Sequence, residues 1–326
     1  MASSLQAVRR SLEACTRPLL CSHIRLDGDA VGAELALADI LRALGKTPHV
    51  VNESAVPRVF RFLPGAESVA SLNALRGDYD RVVVLDANSR QRLGGLAERL
   101  PAGVPMLFID HHPSDNHEGE VRWVDTAYSS VGEMVYALAA ESGWPISPAA
   151  ATALYLAITS DTGRFTLPNA TPGSLRAAAA LLELGADRHR VVMELYYSDP
   201  LALVHLRGQV MSTVRLACGG RVGIATVTHA MLRAHGVDPI DTQEFAEIPR
   251  LVAGVEVACL LRELADGTIK ASLRSDGRMD VRDIAKVFGG GGHPQAAGCE
   301  LPGPLSEAEQ RVVAEIERRL ASISKP

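Results

Sequence analysis

Residues 18–44 read PLLCSHIRLDGDAVGAELALADILRAL, and they set the architecture. PLLCSH is an apolar run of strand length. AVGAELALADILRAL then carries apolar residues at helical spacing and stops at Gly45, a residue suited to a left-handed helix cap. Between the two lie His23, Asp27 and Asp29, with Gly28 allowing a tight turn from strand to helix. The order repeats further on. VVVLDAN puts Asp86 at the end of an apolar run, and FIDHH puts Asp110, His111 and His112 at the end of another. Asp161 lies in ITSDTG, at the end of another apolar segment. Strand-like runs, TPHVVNE among them, alternate with the helical segments SVGEMVYALAAESG, SPAAATALYLAITSD and TPGSLRAAAALLELGAD. This predicts a doubly wound, mostly parallel α/β sheet. Ligands of such sheets sit outside the carboxyl ends of the strands, so these residues are expected on one rim.

His23, Asp27, Asp29, Asp86, His111 and Asp161 make four carboxylates and two imidazoles. That is more than one divalent ion needs and about right for two. With oxygen in excess and no thiolate, the set suits Mn²⁺ or Mg²⁺ and can also hold Co²⁺ or Zn²⁺. Paired ions of this kind run hydrolysis at phosphorus. Three of them also have an ordinary reading: Asp29 as the cap of the helix starting near Ala30, Asp86 and Asp161 as turn residues. Such readings would have to coincide, and Asp-His-His after MLFI is hard to explain as packing. The other histidines, His49, His117, His189, His205, His229 and His235, lack ligand spacing and read as surface or core residues.

After Asp199-Pro200 the pattern changes. RVGIATVTH, AGVEVACLLREL and GTIKASLRS are strand candidates, the last two joined through Asp266-Gly267, a hairpin signal. DVRDIAKVF and SEAEQRVVAEIERRLA read as helices. This predicts a smaller C-terminal α/β domain on a mixed sheet. The divisions are residues 1–190 for the metal-binding domain, 191–210 for a linker and 211–326 for the second domain. The linker reads as one helical connection interrupted at Pro200.

Composition narrows the function. The chain has 326 residues, 47% hydrophobic and 22% charged, which excludes a disordered chain. No apolar run is long enough for a membrane span. The N-terminus reads as a helix and then a strand, without the apolar core and cleavage site of a secretion signal. Five cysteines without CxxC spacing suit small core thiols in a reduced, cytoplasmic compartment. A net charge of −5 and 4% aromatics argue against long nucleic acid as the main partner.

HIRLDGDAVG, VVLDA, IDHH and TSDTGRF resemble the four motifs of the DHH phosphoesterase family, and FGGGGHPQAAG at 288–298 resembles the DHHA1 signature. The resemblance runs from about Leu19 to about Gly298 and is nearest the stand-alone oligoribonuclease (nanoRNase)/pAp-phosphatase subgroup. One departure is Leu26, where the family often has proline; it is not a ligand position. The resemblance implies two divalent ions, Mn²⁺ first, with Mg²⁺ or Co²⁺ as alternatives. One would be held by His23, Asp27 and Asp86, the other by Asp29, Asp86, His111 and Asp161, with Asp86 bridging. It implies that Asp110 orients a ligand imidazole and that His112 faces the scissile phosphate. It also implies that Arg274, Ser275, Gly290, Gly291, Gly292 and His293 bind the substrate's far phosphate or nucleotide. The glycines would do so by offering successive N–H groups to an anion.

The resulting expectation is a metal-dependent phosphodiesterase that cleaves very short RNA or linear dinucleotides to mononucleotides. pAp would be hydrolysed at the same site, the second domain would clamp the substrate, and a homodimer is one option for assembly. Single-strand DNA exonuclease and cyclic-dinucleotide phosphodiesterase are rival activities. The short chain, negative charge and missing third domain disfavour the exonuclease. A family pyrophosphatase would lack the GGGGH signature. A nucleotide-sensing module without catalysis is the rival of another class, and the complete ligand set disfavours it.

Overall fold

A computed structural model of the chain describes residues 4–113 and 118–323; His117 lies outside them. The chain divides into two compact units, Met1–Ser198 and Asp199–Pro326.

The first unit runs α1 (Leu5–Ala14), β1 (Pro18–Cys21), α2 (Gly28–Ala43), β2 (His49–Val50), β3 (Arg81–Leu85), α3 (Leu96–Arg99), β4 (Met106–Asp110), β5 (Val121–Val124), α4 (Val131–Ser142), α5 (Pro148–Asp161), α6 (Pro172–Glu183) and α7 (Arg188–Tyr196). Its strands form a parallel sheet in the order β2-β1-β3-β4-β5. Alternate residues serve opposite faces, as the strand period requires. Leu20, Val83, Leu85, Leu107 and Ile109 face the layer of α1, α2, α4, α5 and α6. Leu19, Cys21, Val82, Val84 and Phe108 face α3 and the short turns around it. This is the doubly wound arrangement expected. The strand TPHVVNE shrinks to two residues plus a single bridge from Val51 to Ala70.

The helical layer is held unusually close. A Cβ on Gly28 would overlap Ser160, one on Gly32 would overlap the Ala153 carbonyl, and one on Gly132 would overlap Ala157. These glycines let α2 and α4 lie against α5, which draws Asp29 towards Asp161. Helix α2 ends as anticipated at Gly45, with φ of 78°, whose N–H donates to the Arg42 carbonyl.

The second unit comprises α8 (Leu201–Met211), β6 (Arg215–Ala217), β7 (Val222–Val227), α9 (His229–His235), β8 (Val257–Glu263), β9 (Thr268–Ser275), α10 (Val281–Val287), β10 (Gly291–Gly292), β11 (Ala296–Pro302) and α11 (Leu305–Ile323). The sheet order is β10-β11-β9-β8-β7-β6, mixed, with only β7 and β8 parallel. One face packs on Val281 and Ile284 of α10 and Val312 and Ile316 of α11. The other packs on Leu203 and Leu206 of α8, Leu232 of α9, and Phe245. The segment anticipated as one connection interrupted at Pro200 is two helices, α7 and α8, with Pro200 as the cap of the second. No helix among the described residues is long and apolar enough to cross a membrane.

Candidate metal centre

The strand order reverses direction between β1 and β3, the switch point at whose carboxyl ends sheets of this kind bind ligands. Register dictates what lies there. Cys21 pairs with Val84, so His23 and Asp86 follow side by side. Leu85 pairs with Ile109, so Asp110 comes next. Asp86 has φ of 54°, a left-handed conformation that a side chain adopts at a cost in strain. Arg25, Arg164 and Phe165, in two of the loops that carry the other site residues, are also left-handed.

Asp86 is the centre of the cluster. Its Oδ2 is 3.1 Å from His23 Nε2, and Asp27 Oδ2 is 3.6 Å from the same nitrogen. His23 Nδ1 lies 2.8 Å from the Ile24 carbonyl, which holds the ring with Nε2 towards the carboxylates. On the other side, His111 Nε2 is 3.7 Å from Asp86 Oδ1, 3.7 Å from Asp161 Oδ2 and 3.9 Å from Asp29 Oδ2. These separations are too long for hydrogen bonds and short enough for the donors to share a cation. Asp86 Oδ1 is buried with no hydrogen-bond partner.

Asp29 does not cap its own helix. Asp27 does, accepting from Ala30 N at 3.0 Å. Asp29 instead accepts from Val131 N at 2.7 Å and Gly132 N at 2.8 Å, the first amides of α4. A helix N-terminus favours a carboxylate there. Asp161 ends α5, the helix anticipated for SPAAATALYLAITSD, and Asn169 Nδ2 donates to its Oδ2 at 3.1 Å and its carbonyl at 3.0 Å. Asn169 has no motif spacing and was not anticipated.

The electrostatics suit a cation site. Burial and mutual repulsion with Asp86 push the carboxyls of Asp29 and Asp161 well above the usual range. Burial works against a charged His23, yet hydrogen bonds with Asp27 and Asp86 dominate and push it up to about 11, so a proton stands where positive charge is wanted. Burial and the neighbouring His112 pull His111 down, which suits a neutral ligand imidazole. The orphaned Asp86 oxygen, the repelling carboxylates and the donor set all fit divalent ions.

His112 is a different case. Its Nδ1 is within reach of Asp86 Oδ1 at 3.4 Å, but it is 2.6 Å from Asp110 Oδ1. The shorter contact directs Nδ1 at Asp110, although Asp86, His111 and His112 also offer donor atoms close enough to share a cation. Burial opposes its charge, but Asp110 outweighs this and raises His112 to about 8. The imidazole that Asp110 orients is therefore that of His112.

In the second unit, Arg274 Nε donates to Glu247 Oε1 at 2.7 Å. Ser275 is buried, and its Oγ accepts from Gly277 N at 3.0 Å, so it shapes the turn after β9. The glycine run does not offer all its amides to an anion. Gly289 N donates to Lys286 O and Gly290 N to Ala285 O, closing α10, because an uncapped helix end needs donors for its last carbonyls. Gly291 and Gly292 form β10 against Gly298 and Ala297, and His293 begins the return turn. Gly292 has φ of 139°, which excludes other residues.

Residues 18–158 match the DHH family, N-terminal domain, and residues 211–322 match the DHHA1 domain. The bifunctional oligoribonuclease and PAP phosphatase NrnA of Thermus thermophilus is 33% identical over 97% of this chain and 94% of its own length. The Bacillus subtilis protein of the same name is 29% identical over 92% and 93%. An exopolyphosphatase-related protein from Bacteroides fragilis has the same fold, with a TM-score of 0.93 at 24% identity over 98% of this chain and 97% of that one. Motif order, strand-end geometry and these matches agree: the chain belongs to the DHH/DHHA1 phosphoesterase family of hydrolases.

Proposed function

We propose that the protein is a two-metal phosphodiesterase that hydrolyses very short RNA or linear dinucleotides to mononucleotides, and pAp to AMP at the same site. The observation that carries this reading is Asp86, whose two oxygens serve opposite sides of one cluster: Oδ2 towards His23, Oδ1 towards His111. His23, Asp27 and Asp86 would hold one ion; Asp29, Asp86, His111 and Asp161 the other. The oxygen-rich set favours Mn²⁺, with Mg²⁺ or Co²⁺ as alternatives. Ions bound there supply Lewis acidity, lowering the pKa of water and offsetting charge on phosphoryl oxygens.

The chain's own groups do the rest. The α4 amides and Asn169 fix Asp29 and Asp161 before any ion arrives, so little reorganisation is needed on binding. Asp110 holds His112 by Nδ1, so the protonated ring carries its second N–H at Nε2. Raised to about 8, it is charged at neutral pH. It can then hydrogen-bond a phosphoryl oxygen or give its proton to the leaving oxygen. Arg274, a permanently charged planar donor, and the exposed strand Gly291–Gly292 with His293 are the groups we assign to the distal phosphate or nucleotide. The names of the curated relatives support the substrate class. A product time course on 5′-labelled RNAs from dinucleotide to about twenty nucleotides, beside pAp and cyclic dinucleotides, tests it. Release of mononucleotides from the shortest substrates is expected. Exclusive cleavage of long strands or cyclic dinucleotides would overturn it.

A further inference from the structure

Beneath the cluster lies a buried polar chain that has no place in the ligand set. Glu34 is on α2 and is fully buried, as are Asn52 after β2 and Ser22 after β1, at 0%, 1% and 2% exposure. Asn52 Nδ2 donates to Glu34 Oε2 at 2.8 Å. Asn52 Oδ1 accepts from Ser22 N at 2.9 Å. Ser22 Oγ donates to the Leu85 carbonyl at 2.7 Å. Ser22 and Leu85 immediately precede His23 and Asp86, so the chain ends on the backbone of both. The sheet ladder named for β1 and β3 stops at Cys21 and Val84, one residue earlier. The Ser22–Leu85 bond continues the tie by one residue where the ladder has ended.

The placement is unlike ordinary core. The neighbours of Glu34 on α2, Leu35, Leu37 and Leu41, are buried and apolar. Glu34 Oε1 has no partner, a poor arrangement if filling space were the only task. Burial, opposed by the Asn52 hydrogen bond, pushes its carboxyl up to about 8, so glutamine is a close mimic of the neutral form.

We infer that Glu34, Asn52 and Ser22 are positioning residues that fix the spacing of His23 and Asp86 for the ion between them. The inference rests on the metal reading above. None of the three touches substrate. They act through the two strand ends, as partners behind metal ligands do elsewhere, where their loss weakens metal binding by about tenfold to a hundredfold.

The test is Mn²⁺ affinity by titration calorimetry, with melting temperature measured without metal, for Ser22→Ala, Glu34→Leu and Glu34→Gln. Ser22→Ala and Glu34→Leu should bind Mn²⁺ at least about tenfold more weakly. Glu34→Gln should restore affinity to within about threefold, since it keeps the acceptor for Asn52. A space-filling role would lower melting temperature and leave affinity unmoved. If Glu34→Leu fails to fold, Ser22→Ala, a much smaller change, decides alone. Wild-type affinity in folded Ser22→Ala overturns the inference while leaving the metal reading intact. A wild-type chain that binds no Mn²⁺ removes the metal reading, and this inference with it.

Discussion

His23 Nε2 and Asp86 Oδ2 lie 3.1 Å apart although 63 residues separate them in sequence. Parallel pairing of β1 with β3 brings them together, and both follow the last paired residues of their strands. Asp86 also faces His111, so a change at this residue reaches both halves of the cluster.

Asp86→Asn should lower hydrolysis by about three orders of magnitude, because the bridging charge is lost. Asparagine tolerates the left-handed backbone that Asp86 adopts, so the fold should survive. Saturating Mn²⁺ should raise the melting temperature of wild type by roughly 5–10 °C and that of the variant far less. Equal metal-induced shifts would remove Asp86 from the centre.

His111 and His112 should separate in their effects. His111→Ala should cut metal content of the purified protein. His112→Ala should keep metal near wild type while kcat falls by about a hundredfold or more, the usual loss for a general acid. The contact of His112 Nδ1 with Asp110 is the reason for the split. Metal analysis beside kinetics checks it; equal metal loss in both variants would mean the roles are wrongly divided.

Metal binding should release protons. The metal-free site keeps a proton on His23, raised to about 11, and raised carboxyls at Asp29 and Asp161 add to this. A bound cation displaces those protons, so affinity must rise with pH, about tenfold per unit for each proton released. Calorimetric Mn²⁺ titrations between about pH 6.5 and 8.5, in buffers of different ionisation enthalpy, measure the number. Affinity that is flat or falls with pH contradicts the electrostatics described.

The strand-end residues were legible because continuous apolar runs and a polar stop are local signals. Helix α2 and its Gly45 cap were legible for the same reason. Strand β5, VRWV, was not, because it is only four residues long, is interrupted by Arg122, and buries only Trp123. Strands β10 and β11 hid in GGGGHPQAAG, where glycine masks alternation. Asp29 was legible as a candidate ligand, but the amides of Val131 and Gly132 that hold it were not, because they are over a hundred residues away. Asn169, Asn52 and Glu34 carry no spacing at all; only tertiary contacts give them a role.

Substrate length should matter steeply. Rates should fall beyond roughly five nucleotides, because this acidic chain, poor in aromatics, offers little for a long strand. Arg274→Ala should weaken dinucleotide hydrolysis far more than hydrolysis of a small activated phosphodiester, since only the former uses remote binding energy. Comparable rates on dinucleotides and twenty-mers, or equal losses on both substrate types, would sink this assignment.

The central claim is that hydrolysis depends on cations held around Asp86. The most direct measurement is cleavage of a 5′-labelled diribonucleotide by the chelator-treated protein, before and after Mn²⁺ is restored. The account predicts no cleavage in the stripped protein and full recovery with Mn²⁺ in wild type but not in Asp86→Asn. Undiminished cleavage by the stripped protein, or recovery in the variant, would contradict it.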